Sequence, residues 1–333
     1  MSENNILYTP AYIALYESGE LKKRADALNA RLSACDLCPR KCGVNRIDNV
    51  QGYCRSGPIV EISSYCDHHG EEPALSGTRG SGTIFFNHCN LKCVYCQNHQ
   101  ISQDFDPSSK HVDSQELAEI MLYLQNKPGC HNINLVSPTH YIPQIVNALN
   151  KAVPMGMKIP LVYNTNGYDS ISTLNLLDGI IDIYLPDIKY SSDRWANKFS
   201  DAKDYVACSR AAIKEMYRQV GNLITDDSDI AVKGVIIRHL ILPNDISGSI
   251  DSLKWIAHDL SKEATLSIMA QYYPCHKALN NRFLSRKISP AEYRQVVDTV
   301  NELDLENGWL QEMDSAEHYL PDFERQGHPF EKA

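Results

Sequence analysis

The sequence predicts an α/β protein: a partial (β/α)6 barrel of parallel strands carrying a small cysteine-rich module at its N-terminus. Two observations lead there. From Gly82 onward, six short apolar runs rich in β-branched and aromatic residues alternate with longer stretches of helical periodicity, the pattern of βα units and a parallel sheet. Before Gly82 the rhythm is different, with cysteine, proline and glycine crowded between residues 35 and 57. The chain accordingly divides into an N-terminal module over 1–80, a core domain over 81–305 and a C-terminal tail over 306–333. Its 333 residues suffice to bury a substantial core.

Taken in order, residues 10–32 read as helix, because Tyr12, Leu15, Leu21, Ala25, Leu28 and Leu32 recur near helical spacing with charges between them. The run IVEISSYCDHHGEEPALSGTRGSG is partly alternating and then loop-like. The core strands are GTIFF (82–86), NINLV (132–136), PLVYNT (160–165), DIYLPDI (182–188), GVIIRHLIL (234–242) and TLSIMAQY (265–272). Helical stretches such as SQELAEIMLYLQN, YIPQIVNALNKAV, DYVACSRAAIKEMYRQVGN and SPAEYRQVVDTVNEL separate or follow them. Six units are fewer than the eight that close a full barrel, so a doubly wound sheet stands beside the partial barrel as an arrangement of the same elements. In either, chemistry belongs at the C-terminal ends of the strands. The run TDDSD (225–229) and the tail FERQGHPFEKA read as solvated.

Composition narrows the function. Hydrophobic residues at 43% and charged ones at 22% are ordinary for a globular chain. No basic start followed by an apolar run opens the sequence, and no stretch is apolar for the length of a bilayer, so the expected location is cytoplasmic with no membrane partner. A net charge of -9 repels phosphate backbones, which argues against nucleic acid. No phosphate loop, nucleophile elbow or His-Glu-x-x-His is present.

Eleven cysteines without a secretion signal point to metal or redox chemistry rather than disulfides. Cys35, Cys38, Cys42 and Cys54 form one group, Cys89, Cys93 and Cys96 a second, and Cys66, Cys130, Cys208 and Cys275 are scattered. The triplet follows the first core strand, in the first βα loop. Thiolates on one short loop suit an iron–sulfur cluster or zinc. Structural zinc requires a fourth ligand, for which His88 and His99 are the nearby candidates, whereas a four-iron cluster on three thiolates leaves one iron open to a small molecule.

The C-x3-C-x2-C spacing with Tyr95 before the last cysteine, placed after the first strand of a six-unit core, resembles the radical S-adenosylmethionine superfamily. Within it, the sequence is similar to iron–sulfur proteins related to pyruvate formate-lyase activating enzyme. The likeness covers roughly residues 80–275 and extends into LCPRKCGVNR. It implies a 4Fe-4S cluster on Cys89, Cys93 and Cys96, with the free iron chelated by S-adenosylmethionine. Reductive cleavage then gives a 5′-deoxyadenosyl radical that abstracts hydrogen from a substrate C–H bond. An electron donor such as flavodoxin or ferredoxin is implied as a partner.

The same resemblance implies roles for single residues. Tyr95 matches the aromatic beside adenine. Where relatives end the second strand in Gly-Gly-Glu, this chain has NLVSPTHY, so Ser137 and Thr139 fall at the methionine ammonium with backbone acceptors but no carboxylate. Asn164 and Asn166 end the third strand, where Asn-Gly is also a turn signal. Asp187 and Lys189 in LPDIKY resemble the Asp-x-Lys of activating enzymes, and strand alternation puts both on one face, toward the barrel interior. Arg238 suits a carboxylate, His239 alternates away from it as a packed or capping residue, and Gln271 ends the sixth strand within reach of adenine or substrate.

The N-terminal C-x2-C-x3-C-x11-C set closes a four-thiolate site, either structural zinc or an auxiliary iron–sulfur cluster, with Cys66 as a substitute ligand. Three functions are compatible with these residues: activation of a glycine in a partner enzyme, radical chemistry on a small molecule or peptide, and a zinc-bound protein without turnover.

Overall fold

The computed structural model describes residues 8–104, 109–313, 321–323, 329 and 330. Ten strands lie in it: β1 (Val60–His68), β2 (Ser81–Phe86), β3 (Lys110–Val112), β4 (Ile133–Val136), β5 (Leu161–Thr165), β6 (Ile183–Pro186), β7 (Ile224–Thr225), β8 (Ala231–Leu240), β9 (Thr265–Met269) and β10 (Gly308–Leu310). The six expected core strands are β2, β4, β5, β6, β8 and β9. They pair in parallel and follow one another across the sheet in sequence order. A doubly wound sheet reverses its order at a switch point; this one does not, and the architecture is the partial barrel.

The sheet extends beyond those six strands on both sides. β10 joins β9 in parallel, so the C-terminal region carries a seventh parallel strand. At the other edge β1 pairs antiparallel with β2, and β3 with β1. The N-terminal residues do not stand apart as a separate body. Tyr12, Leu21, Leu28 and Leu32 are buried in the same core as Ile145, Leu149 and Leu161, and the Tyr12 hydroxyl donates to the Ile159 carbonyl at 2.8 Å.

Local chemistry sets the helices. The span expected as one helix over 10–32 is two, Ala11–Glu17 and Glu20–Ala30, because Gly19 takes a left-handed conformation between them (φ 75°). Asp113 starts the helix Ser114–Asn126 with a capping box: its carboxylate accepts from the Gln115 and Glu116 amides while Glu116 accepts from the Asp113 amide. Ser289 and Glu292 do the same for Pro290–Glu302. Three helices had no counterpart in the sequence reading: Pro73–Ser76, His99–Ser102 and Asp193–Ser200.

Inside the barrel, Val162, Ile183, Leu185 and Ile236 pack with Ala74 and Leu75 of the short helix Pro73–Ser76. Period-two alternation carries each of these interior positions toward a polar residue at the strand's C-terminal end. Val162 leads to Asn164, Leu185 to Asp187 and Ile236 to Arg238, and all three polar residues line one cavity. On these three strands the interior is therefore apolar below and polar above.

Candidate active site

The cavity at the C-terminal ends of the strands has a volume of about 480 Å³. Cys89, Cys93 and Cys96 line it, together with Tyr95, Ser137, Asn164, Asn166, Asp187, Lys189, Arg238 and Gln271. Every expected residue of the core site except Thr139 therefore meets at one place. Thr139 lies behind the wall, where its hydroxyl donates to the buried Asp169 carboxylate at 2.7 Å. Ser137 reaches the wall in a left-handed conformation (φ 57°), with its amide donating to the Asn164 carbonyl.

The cysteine loop leaves β2 and ends in the short helix His99–Ser102. Each sulfur has a polar neighbour. The Asn166 side-chain amide and the Leu91 backbone amide both donate to Cys89 Sγ at 3.4 Å, the Ser200 hydroxyl donates to Cys93 Sγ at 3.0 Å, and the Ser102 hydroxyl lies 3.3 Å from Cys96 Sγ. Burial pushes the Cys89 thiol up to about 11 and the Cys96 thiol to about 12, and raises Cys93 as well. Free thiols here stay protonated at neutral pH, so thiolate ligation must be driven by a metal.

A zinc ion with Zn–S bonds of about 2.3 Å holds tetrahedral thiolates about 3.8 Å apart. Among the described residues, only His99, Asp104 and His276 bring three potential ligand atoms within 4.8 Å of one another, so neither cysteine group closes to zinc spacing. The two histidines considered as a fourth ligand to the triplet have carboxylate neighbours outside it. His88 Nε2 lies 3.2 Å from Glu61 and His99 Nδ1 lies 2.8 Å from Asp104.

Asp187 and Lys189 face the cavity as a pair, with Nζ 2.5 Å from Oδ2. Burial alone would lower the Lys189 ammonium, but Asp187 and then the Cys93 sulfur outweigh it and hold the lysine well above its usual range. The cation is permanent at physiological pH and stands beside the cysteine loop. Gly167, after Asn166, takes φ 78° against the Asp187 carbonyl, which an added Cβ would approach to 2.4 Å. The Asn-Gly turn thus also brings Asn166 to the cysteines.

Arg238 does not offer a free guanidinium. Its Nε and Nη2 donate to the two Glu72 carboxylate oxygens, each at 2.7 Å, and Nη2 also meets Glu71. Glu71 accepts in addition from the Asn134 side chain at 2.9 Å. Burial would raise the Glu72 carboxyl, but Arg238 reverses that and keeps it ionised. The two glutamates come from HHGEEP, a stretch read as loop, and line the cavity that they help charge. Their signal was adjacent carboxylates just before an apolar segment.

His239 is buried as a packed residue, bonded to the Ile188 carbonyl and to Ser249 at 2.8 Å each. Tyr95 packs edge-on against Tyr190 and Tyr272, and Gln271 accepts from Gln311 at 2.9 Å. The tail is not merely solvated: Phe323 packs on Phe85, and Phe330 stacks on His68 with ring centres 4.2 Å apart at the cavity wall.

Cys35, Cys38, Cys42 and Cys54 gather in the loop after the N-terminal helices. Burial pushes the Cys38 thiol up to about 12, with Cys54, Cys35 and Cys42 adding to the rise, which identifies the other three as its neighbours. Cys66 sits apart on β1, packed with Phe85, Ile101 and Phe323. Arg40 joins this loop to the triplet: its Nε donates to the Asn90 carbonyl at 2.6 Å, and its guanidinium lies 3.2 Å over the Tyr53 ring.

The uncharacterized protein MJ0674 of Methanocaldococcus jannaschii is 29% identical over 280 residues, covering 82% of this chain and 75% of that protein. Among solved structures, TYW1 with a lysine-pyruvate adduct bound is 12% identical with a TM-score of 0.43, over 70% of this chain and 78% of that one. Methylornithine synthase (PylB) is 12% identical with a TM-score of 0.42, over 90% and 75%. The family model of the radical SAM superfamily matches residues 83–226, from β2 through the cysteine triplet to β7. Residues 83–226 thus match the radical SAM superfamily, a family that implies a 4Fe-4S cluster and S-adenosylmethionine.

Proposed function

We propose that Cys89, Cys93 and Cys96 hold the cluster and that the cavity above the strands receives S-adenosylmethionine together with a substrate from which hydrogen is taken. When bound, the cluster supplies the electron that cleaves S-adenosylmethionine to methionine and a 5′-deoxyadenosyl radical. The observation that carries the reading is the convergence of three cysteine sulfurs, the Asp187–Lys189 pair and Asn164 on one cavity at the C-terminal mouth of a parallel barrel. The chain's own residues have definable tasks. Lys189 presents a fixed positive charge to a carboxylate, Asp187 orients it, and Asn166 and Ser200 hold two of the sulfurs through hydrogen bonds. Tyr95, Tyr190 and Tyr272 exclude water from the loop that carries the cysteines.

Two substrate classes follow from separate observations. A glycine in a partner enzyme follows from the likeness of Asp187 and Lys189 to the activating enzymes. A small molecule follows from the polar side chains that line the cavity, Ser137, Asn164 and Gln271 among them. We assign the N-terminal cysteines to a second iron–sulfur cluster, because their loop adjoins the triplet, where Arg40 links it to Asn90. A reduced flavodoxin or ferredoxin is the proposed electron donor.

The test is formation of 5′-deoxyadenosine by anaerobically reconstituted, chemically reduced protein. Wild type should form it and Cys93→Ala should not; turnover retained by the variant would remove the triplet from the chemistry. Iron analysis addresses the second site: about eight iron atoms per chain fit two four-iron clusters, while about four with one zinc would assign the N-terminal cysteines to zinc.

A further inference from the structure

Beside the cysteine loop, but outside the cavity, two imidazoles and a carboxylate meet. His99 opens the helix that ends the triplet loop, Asp104 follows that helix, and His276 comes from the loop after β9. One ligand atom from each lies within 4.8 Å of the other two. The His99 and His276 rings are stacked nearly parallel, with centroids 4.6 Å apart and planes at 14°. His99 Nδ1 is 2.8 Å from Asp104 Oδ2, a separation shared by a hydrogen bond and by two adjacent donors on one ion. His276 Nε2 is buried with no hydrogen-bond partner. A buried imidazole nitrogen without a partner carries a desolvation cost that nothing in the surrounding protein offsets.

We propose that His99, Asp104 and His276 bind a divalent transition-metal ion. Two imidazoles and one carboxylate form an established ligand set for such ions, with bonds of about 2.0 to 2.2 Å to nitrogen and oxygen. The ion completes the His276 nitrogen and leaves positions for water on the exposed Asp104 side. Its location gives it a task. His99 belongs to the first βα unit and His276 to the last, and the same two loops already touch where the Ala278 amide donates to the Val94 carbonyl and Cys275 Sγ approaches the Tyr95 carbonyl at 3.5 Å. A metal here clips the cysteine loop across the open side of the partial barrel. It is distinct from the cluster in ligands, and this assignment stands whether or not the radical chemistry does.

Equilibrium dialysis of the cluster-loaded protein against Zn2+ provides the test. Wild type should retain one zinc per chain more than His276→Gln or Asp104→Asn, with apparent affinity falling by about tenfold or more in each variant and iron content unchanged. Asp104 is exposed, so its variant keeps the fold even if the His276 variant does not. Co2+ in place of zinc should give weak ligand-field bands without the intense near-ultraviolet bands of thiolate ligation. Equal zinc in all three proteins, or a thiolate spectrum with Co2+, would overturn the assignment.

Discussion

Arg238 on β8 grips Glu72, which lies 166 positions earlier in the chain, through two hydrogen bonds of 2.7 Å. Glu71 shares the same guanidinium, so two carboxylates and one cation are buried together at the cavity wall. Desolvated charges of this kind are tolerated only while paired. The pairing fixes the loop between β1 and β2 over the barrel interior, directly above the plug formed by Leu75.

Removing one partner should therefore be costly. Glu72→Gln leaves Arg238 with Glu71 alone and should lower stability by about 3 kcal/mol, read as a shift of the urea midpoint. Glu71→Gln should cost less, because Glu72 takes two of the guanidinium's bonds. Equal midpoints for wild type and Glu72→Gln would show that the pair does not anchor the loop.

A second relationship bears on the cluster itself. Ser200, fully buried, donates to Cys93 Sγ at 3.0 Å and exchanges a hydrogen bond of 2.7 Å with the Tyr190 hydroxyl. A donor to a ligating sulfur stabilises the reduced, more negative cluster and raises its potential. Ser200→Ala should lower the midpoint potential of the triplet cluster by an amount on the order of tens of millivolts, followed by the spin-resonance signal in a redox titration. Stability alone would not isolate the effect, since Tyr190 also loses a partner. An unchanged potential would mean that the hydroxyl serves only Tyr190.

How much of this was legible in the sequence follows from periodicity. The six core strands are continuous apolar runs because both faces are buried, as β2 is along its whole length, and such runs are visible without a structure. The triplet was equally plain, since three cysteines within eight positions have few structural uses. Asp187 and Lys189 were readable because alternation fixes their face. The carboxylates of Glu71 and Glu72 were hidden because a polar pair in a glycine-rich stretch looks solvated until its partner, Arg238, is placed by the fold. Phe323 and Phe330 were masked by the polar average of the tail. Ser200 lies in a helix, Asp193–Ser200, too polar overall to be recognised. Each of these missed contacts joins residues more than one hundred positions apart, and no local pattern encodes such a pairing.

The attachment of the N-terminal helices should depend on pH through Asp182. This carboxyl, buried immediately before β6, accepts from the Tyr8 hydroxyl at 2.7 Å and the Leu161 amide at 2.9 Å. Burial pushes it up to about 7, against the lowering effect of these hydrogen bonds and of Lys233. An unfolded aspartate titrates near 3.9, so between roughly pH 4 and pH 7 the folded state holds a proton that the unfolded state has lost. The sign follows from linkage: the stability contribution is fully present below the unfolded value and is lost as pH rises toward the folded one. The loss is on the order of a few kcal/mol. Asp182→Asn keeps an acceptor for Tyr8 and carries no titrating charge, so it should flatten this part of the profile. Urea midpoints at pH 5 and pH 8 provide the comparison. The stability of the variant relative to wild type should rise from pH 5 to pH 8 by most of the Asp182 contribution, because the buried His140 and His239 imidazoles, which burial pushes down to about 3 and about 4, act alike in both proteins. An identical pH dependence in both proteins would mean that the Asp182 carboxylate is solvated or paired in the folded chain more effectively than Tyr8, Leu161 and Lys233 account for.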